Sequence, residues 1–226
     1  SGSSQIGSTG LSGANATERG LNGRATCFNR SNNGNTWLGG LVGNPNQWLY
    51  LQRFTPRIQG AVLEVGSKNY GTTVPFRERL SYTEYLGLDK EAGDGVDVVG
   101  DLALGVCGLR PGSFALVICC SVLEHVATPW TMAQNITRLL GSGGICYLAV
   151  PWVWRFHAYP DDYWRFSWRG IETLFPSLLW SHGYYSTNKV GTFLQAQSGS
   201  DDMLALMVKG QKYLPYLQLH MLGRKP

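Results

Sequence analysis

The stretch Gly60 to Gly71, GAVLEVGSKNYG, constrains this chain more than any other. An apolar run, Ala61-Val62-Leu63, leads to one acid, Glu64, and then to a loop bounded by Gly66 and Gly71. A short β-branched run that ends in a glycine turn reads as a buried parallel strand feeding a ligand-binding loop. In open α/β sheets, the crevice beyond the carboxyl end of such a strand holds nucleoside-containing ligands. A second acid, Asp89 in YLGLDK, falls where a second strand would end. A carboxylate there can accept hydrogen bonds from both hydroxyls of a ribose.

The loop discriminates among cofactors. A dinucleotide calls for G-x-G-x-x-G, whose middle glycine lets the backbone touch the pyrophosphate. Here Lys68 takes that place and the next glycine is delayed to Gly71. The G-K-[ST] of a phosphate-cradling P-loop is missing from the stretch. An adenosine cofactor without phosphates fits better, and S-adenosylmethionine is of that kind. A simple turn made by Gly66 and Gly71 is the competing reading.

A chain of 226 residues allows one domain with appendages and a sizeable core. Its formal net charge of +4 is small and its Lys and Arg residues form no run, so nucleic acid is a possible partner but not the favoured one. The five cysteines lack C-x-x-C spacing, which suggests free thiols in a reducing compartment rather than a disulfide framework or a zinc site. No metal-ligand set is read from the sequence. No apolar stretch approaches the roughly 20 residues of a membrane span, and no charged-then-apolar leader opens the sequence. The expectation is a cytoplasmic chain with no membrane role.

Residues 1–35 are rich in Gly, Ser, Asn and Thr and read as a flexible arm, since they offer too few apolar anchors to offset ordering entropy. Residues 36–59 read as a helical or cap segment, its amphipathic pattern interrupted at Pro45 and closed by Pro56. Residues 60–210 form the predicted cofactor-binding domain, and residues 211–226 a C-terminal tail. Strands are predicted at Ala61 to Val65, Tyr85 to Leu88, Val96 to Val99, Phe114 to Cys119 and Gly144 to Val150, with two more near residues 183–186 and 203–208. Helices are predicted at Val74 to Leu80, Met132 to Leu140 and Trp168 to Leu174. Such alternation argues for an open, largely parallel α/β sheet with both faces covered.

The ordered pieces VLEVGSKNYG, YLGLDK, VDVVGDL, FALVICCSVLEHV, LLGSGGICYLAVP and HAYPDDYWRF resemble the class I S-adenosylmethionine-dependent methyltransferases over roughly Gly60 to Lys209. The resemblance implies a Rossmann-like sheet of seven strands in the order 3-2-1-4-5-7-6, the last antiparallel, with helices on both faces. It places Glu64, Gly66, Ser67 and Gly71 around the methionine end of the cofactor and Asp89 at the ribose. Asp101 and Leu102 would sit at the adenine, and Cys119, Cys120 and Ser121 beneath the sulfonium. Two departures stand out: the glycine loop is longer than the common G-x-G form, and Ala115 replaces an Asp found in many relatives.

Methyl transfer needs chiefly the in-line placing of a nucleophile, and a hydroxyl acceptor also needs a base. Among His125, His157, His182 and His220, the best-placed candidate base is His157, which opens HAYPDDYWRF just past the fifth strand; His125 in SVLEHV is the weaker candidate. Tyr159, Asp162, Tyr163 and Arg165 are the expected substrate contacts, although an acid pairing with Arg165 could equally clasp the loop. No N-P-P-Y or D-P-P-Y occurs, which disfavours an adenine amino group as acceptor. Relatives sharing the H-x-Y-P-x-D-Y-W-R-F stretch act on small molecules or glycans, and that resemblance implies such an acceptor here, methylated at oxygen. An RNA or protein methyltransferase, and a non-catalytic cofactor-binding partner subunit, are the alternatives.

Overall fold

The computed structural model describes residues 26–27, 45–71, 73–81, 83–158, 160–187, 189–196 and 216–226. In chain order the strands are β1 (Thr26–Cys27), β2 (Ala61–Val65), β3 (Tyr85–Asp89), β4 (Val98–Val99), β5 (Phe114–Cys120), β6 (Leu140–Val153), β7 (Leu179–Ser186), β8 (Thr192–Gln195) and β9 (Leu217–Arg224). The helices are α1 (Pro45–Phe54), α2 (Phe76–Arg79), α3 (Pro129–Leu139) and α4 (Trp168–Leu174).

Among the described residues, nine strands form one sheet in the order β1-β8-β7-β9-β6-β5-β2-β3-β4. The strands from β4 to β6 run parallel, whereas β9 is antiparallel to both β6 and β7. The expected seven-strand order lies intact inside this sheet, as β4-β3-β2-β5-β6-β9-β7. The count is corrected from seven to nine because β8 and β1 extend the far edge as antiparallel additions.

The apolar run of β5 shows how the sequence builds two layers. Leu116 and Ile118 face a core shared with Tyr50 and Leu51 of α1 and Phe76 of α2. Val117 and Cys119 face the other core, with Met132, Ala133 and Ile136 of α3 and Ile171 of α4. A strand buried on both faces has no polar side to show, hence its continuous apolar sequence. Pro45 does not interrupt α1 but begins it, at the position where a missing N–H costs nothing. The predicted last residue of α3, Leu140, instead turns extended and begins β6.

Two boundary expectations are corrected. Residues 211–226 are not a tail, because β9 threads between β6 and β7 with every residue from Leu217 to Gly223 buried. Residues 1–35 are not wholly an arm, since Thr26 and Cys27 pair with β8; most of that segment lies outside the described residues. The strand expected near residues 203–208 lies outside them too. Among the described residues, no helix is long and apolar enough to cross a membrane.

A buried polar chain ties α1 to the sheet. Tyr147 donates its hydroxyl to the Gln47 carbonyl at 3.0 Å and lies 2.9 Å from His220 Nδ1. Because Tyr147 has one proton to give, His220 must donate from Nδ1, leaving Nε2 to accept from Ser186 Oγ at 2.7 Å. Burial pushes His220 down to about 3, so it stays neutral and structural.

Candidate active site

The carboxyl ends of β2, β3, β5 and β6 open into a cavity of about 830 Å³. Three strand-end features build one side of it. Gly66 follows β2 with φ +76°, and a Cβ there would come 2.4 Å from Val122 Cγ2, so only glycine lets the chain turn at this point. Glu64, at the end of β2, accepts a 2.6 Å hydrogen bond from Tyr85 Oη. Burial pushes the Glu64 carboxyl up to about 7, with the Tyr85 hydroxyl and Arg77 pulling the other way. Asp89, 8% exposed, ends β3 and accepts from the Lys68 and Glu91 amides at 3.2 and 3.1 Å, one on each oxygen. Each carboxylate oxygen keeps a lone pair for a ligand hydroxyl. Asp101 caps a turn by accepting from the Ala103 amide at 2.7 Å, and the wholly buried Leu102 follows it.

Among the residues read from the sequence, Glu64, Gly66, Asp89, Asp101, Leu102, Cys120, Ser121, His125, His157 and Tyr163 line this one cavity. Three others expected around the cofactor do not. Ser67 turns inward against Gly87 and is 6% exposed. Gly71 is exposed, with its amide donating to Asn69 Oδ1. Cys119 points into the α3 core, because alternation along β5 sends it to the face opposite Cys120.

The rest of the lining comes from the turn after β5, which packs against Gly66, and the loop after β6. Ser121 takes φ +56°, a strained setting for a serine, and then Leu123–His125 forms a 3₁₀ turn rather than the start of a long helix. The loop is stapled onto that turn. Tyr163 and Trp164 amides donate to the Glu124 carbonyl at 2.8 and 3.3 Å, and Trp164 Nε1 donates to the Val126 carbonyl at 2.8 Å. Asp162 and Arg165 do not face the cavity. Arg165 holds both Asp162 oxygens in a two-pronged pair and donates to the Arg155 carbonyl. Hydrogen bonding from Arg165 keeps Asp162 well below the usual carboxylate range. This is the clasp reading, and the clasp has a purpose: Asp162 also accepts from the His157 amide at 2.8 Å, fixing that residue. Tyr159 lies outside the described residues.

The clasp brings His157 and His125 together, with ring centroids 4.9 Å apart. Each has its Nε2 3.9 Å from Glu124 Oε1. Glu124 is 1% exposed, its Oε2 lacks a hydrogen-bond partner, and burial pushes it up to about 8. Burial also holds His125 below its ordinary value. Glu124 is one of three residues the sequence reading missed. The others are Gln47 and Gln218, whose Nε2 atoms reach Ser121 Oγ at 3.3 and 3.0 Å on the cavity floor. His182 lies on the strand surface, away from the cavity.

The strand order, the acids at successive strand ends and the glycine turn define the class I methyltransferase fold. The family described as "Methyltransferase domain" matches residues 82–148. No curated protein matches. Among solved structures, the 1,6-didemethyltoxoflavin-N1-methyltransferase of Burkholderia thailandensis, solved with bound 1,6-didemethyltoxoflavin and S-adenosylhomocysteine, is similar at 15% identity and TM-score 0.56, covering 84% of this chain and 80% of that one. YcgJ from Bacillus subtilis is similar at 14% identity and TM-score 0.54, with 80% and 97% covered. The phosphoethanolamine N-methyltransferase 2 of Haemonchus contortus, solved with S-adenosyl-L-methionine, is similar at 14% identity and TM-score 0.52, with 80% and 52% covered. The fold and the matched domain are those of methyltransferases that use S-adenosylmethionine.

Proposed function

We propose that this protein transfers the methyl group of S-adenosylmethionine to a hydroxyl of a small molecule or glycan. The observation that carries the reading is one cavity lined by two chemically different sets of groups: Glu64, Gly66, Asp89 and Asp101 at or just past strand termini, and Glu124, His125 and His157 on the turn after β5 and the loop after β6. Its volume, about 830 Å³, is within the usual range for sites that enclose small ligands, about 300–1,000 Å³.

In this reading Asp89 accepts from the ribose hydroxyls, Asp101 from the adenine amine, and Glu64 faces the cationic methionine end. The acceptor oxygen attacks the methyl carbon from the histidine side as the sulfur–carbon bond breaks with its electron pair left on sulfur. The acceptor's proton leaves on the same side, through the cavity mouth to solvent. In-line placing supplies most of the catalysis, since the sulfonium already carries its leaving group. Tyr163, half exposed at the rim, is the proposed acceptor contact.

The test combines calorimetric titration of S-adenosylmethionine with a methyl-transfer screen over phenols, sugars and amines, followed by mass-spectrometric location of the added methyl. A methylated hydroxyl product supports the reading. A product methylated at nitrogen overturns the oxygen assignment, and failure to bind the cofactor overturns the whole.

A further inference from the structure

We propose that Glu124, His125 and His157 are the protein ligands of a divalent transition-metal ion at the acceptor end of the cavity. One ligand atom from each of the three lies within 4.8 Å of the other two. A hydrogen-bonded carboxylate–imidazole pair would sit at about 2.7–3.2 Å. Here both Nε2 atoms instead stand 3.9 Å from the same Glu124 oxygen, the arrangement of ligands around a shared centre. Metal–ligand bonds of about 2.0–2.1 Å set tetrahedral ligand edges near about 3.3 Å, so the two Glu124–imidazole edges need to close by about half an ångström each.

The surroundings are those of a metal site as well. Both imidazoles have Nδ1 committed elsewhere, which fixes the ring and leaves Nε2 for the ion. His125 Nδ1 is 2.5 Å from the Asp161 carbonyl oxygen. His157 Nδ1 is 3.2 Å from both the Arg155 carbonyl oxygen and Asp162 Oδ2. Glu124 brings an independent observation: its side chain is 1% exposed, its Oε2 has no partner, and it lines the cavity. A buried carboxyl oxygen without a partner is costly, and a cation facing it removes that cost. The nearby Arg165 is already spent on Asp162. Two imidazoles and one carboxylate suit zinc, cobalt(II) or iron(II) better than magnesium, calcium or manganese.

What the ion does rests on the methyl-transfer reading. An acceptor hydroxyl bound at an open coordination position is acidified, as zinc-bound water is to about pH 7. Its proton passes to buffer through the cavity mouth, and the metal-held oxygen attacks the methyl carbon. The two histidines then act as ligands, and a separate general base is unnecessary.

The experiment uses the full chain stripped with a chelator, titrated with cobalt(II) while its visible ligand-field absorption is followed, with zinc as competitor. One ion per chain with intense bands, displaced by zinc, is expected. Glu124→Gln, His125→Ala and His157→Ala should each weaken binding by at least about 100-fold, and Asp162→Asn by about 10–100-fold. His182→Ala should leave it unchanged. S-adenosylmethionine titration on the same samples reports whether each variant is folded, and separates this inference from the functional one. Cofactor binding without cobalt binding, or cobalt binding that survives all three ligand substitutions, overturns the metal site alone. Cobalt binding without cofactor binding supports the metal site and overturns the methyltransferase reading.

Discussion

Glu64→Gln should make the protein more stable at neutral and alkaline pH while weakening its hold on the cofactor. Burial raises the Glu64 carboxyl to about 7 in the folded protein, against about 4.3 for a glutamate in an unfolded chain. A raised carboxyl favours the protonated form in the fold. Its contribution is therefore fully present below about pH 4.3, declines as pH rises, and is gone once pH exceeds about 7. At about 1.4 kcal/mol per pH unit the decline totals about 3–4 kcal/mol, an upper bound because cavity water screens the charge. Glutamine stays neutral throughout and can still accept from Tyr85 Oη, which lies 2.6 Å from the carboxylate. Melting temperatures of both proteins between pH 4.5 and 8.5 isolate this one group, since other titrations cancel in the difference. The variant should gain several degrees at pH 8, where about 1 kcal/mol shifts a domain of this size by about 2–4 °C, and nothing near pH 4.5. Calorimetry should show the wild type binding S-adenosylmethionine more tightly as pH rises toward 7, because the ligand's net positive charge favours the carboxylate. A difference in melting temperature that shrinks as pH rises, or a variant that binds the cofactor as well as wild type at pH 8, refutes the reasoning.

Other changes give separate readings. Gly66→Ala puts a Cβ 2.4 Å from Val122 Cγ2 at a positive φ; it should cost about 1–3 kcal/mol of stability and impair cofactor titration, and normal melting and binding would contradict it. Asp89→Ala should weaken S-adenosylmethionine binding by about 1–3 kcal/mol, the scale of charge-assisted hydrogen bonds; unchanged affinity would remove Asp89 from the cofactor site. A chain ending at residue 210 should fail to fold, because β6 and β7 lose the strand that joins them; a soluble product with wild-type circular dichroism would show that β9 is dispensable.

The fate of β9 explains why some of this architecture was legible in the sequence and some was not. Strand ends such as Glu64 and Asp89 are announced by their own neighbours: an apolar run, one acid, then glycine or a polar turn. Leu217–Arg224 carries an apolar side too, with Leu217, Leu219 and Met221 in the α3 core. Its alternate positions, Gln218 and His220, look like residues for water. They are nonetheless buried, because Ser121, Gln47, Tyr147 and Ser186 meet them from far along the chain. Local pattern cannot distinguish a polar residue facing solvent from one facing a distant partner. The same limit hid Glu124, which reads as an ordinary acid in SVLEHV until the 156–166 loop folds over it. The clasp of Asp162 and Arg165 was legible as one of two readings, but its role was not, since that follows from fixing His157 beside Glu124. In β5 alternation alone was enough to separate Cys119 in the core from Cys120 at the cavity, yet the family resemblance placed both beneath the sulfonium. What lies beyond local reading in this protein is thus the acceptor end of the site. It is assembled from segments about thirty residues apart, and its chemistry exists only when the loop is closed on the turn.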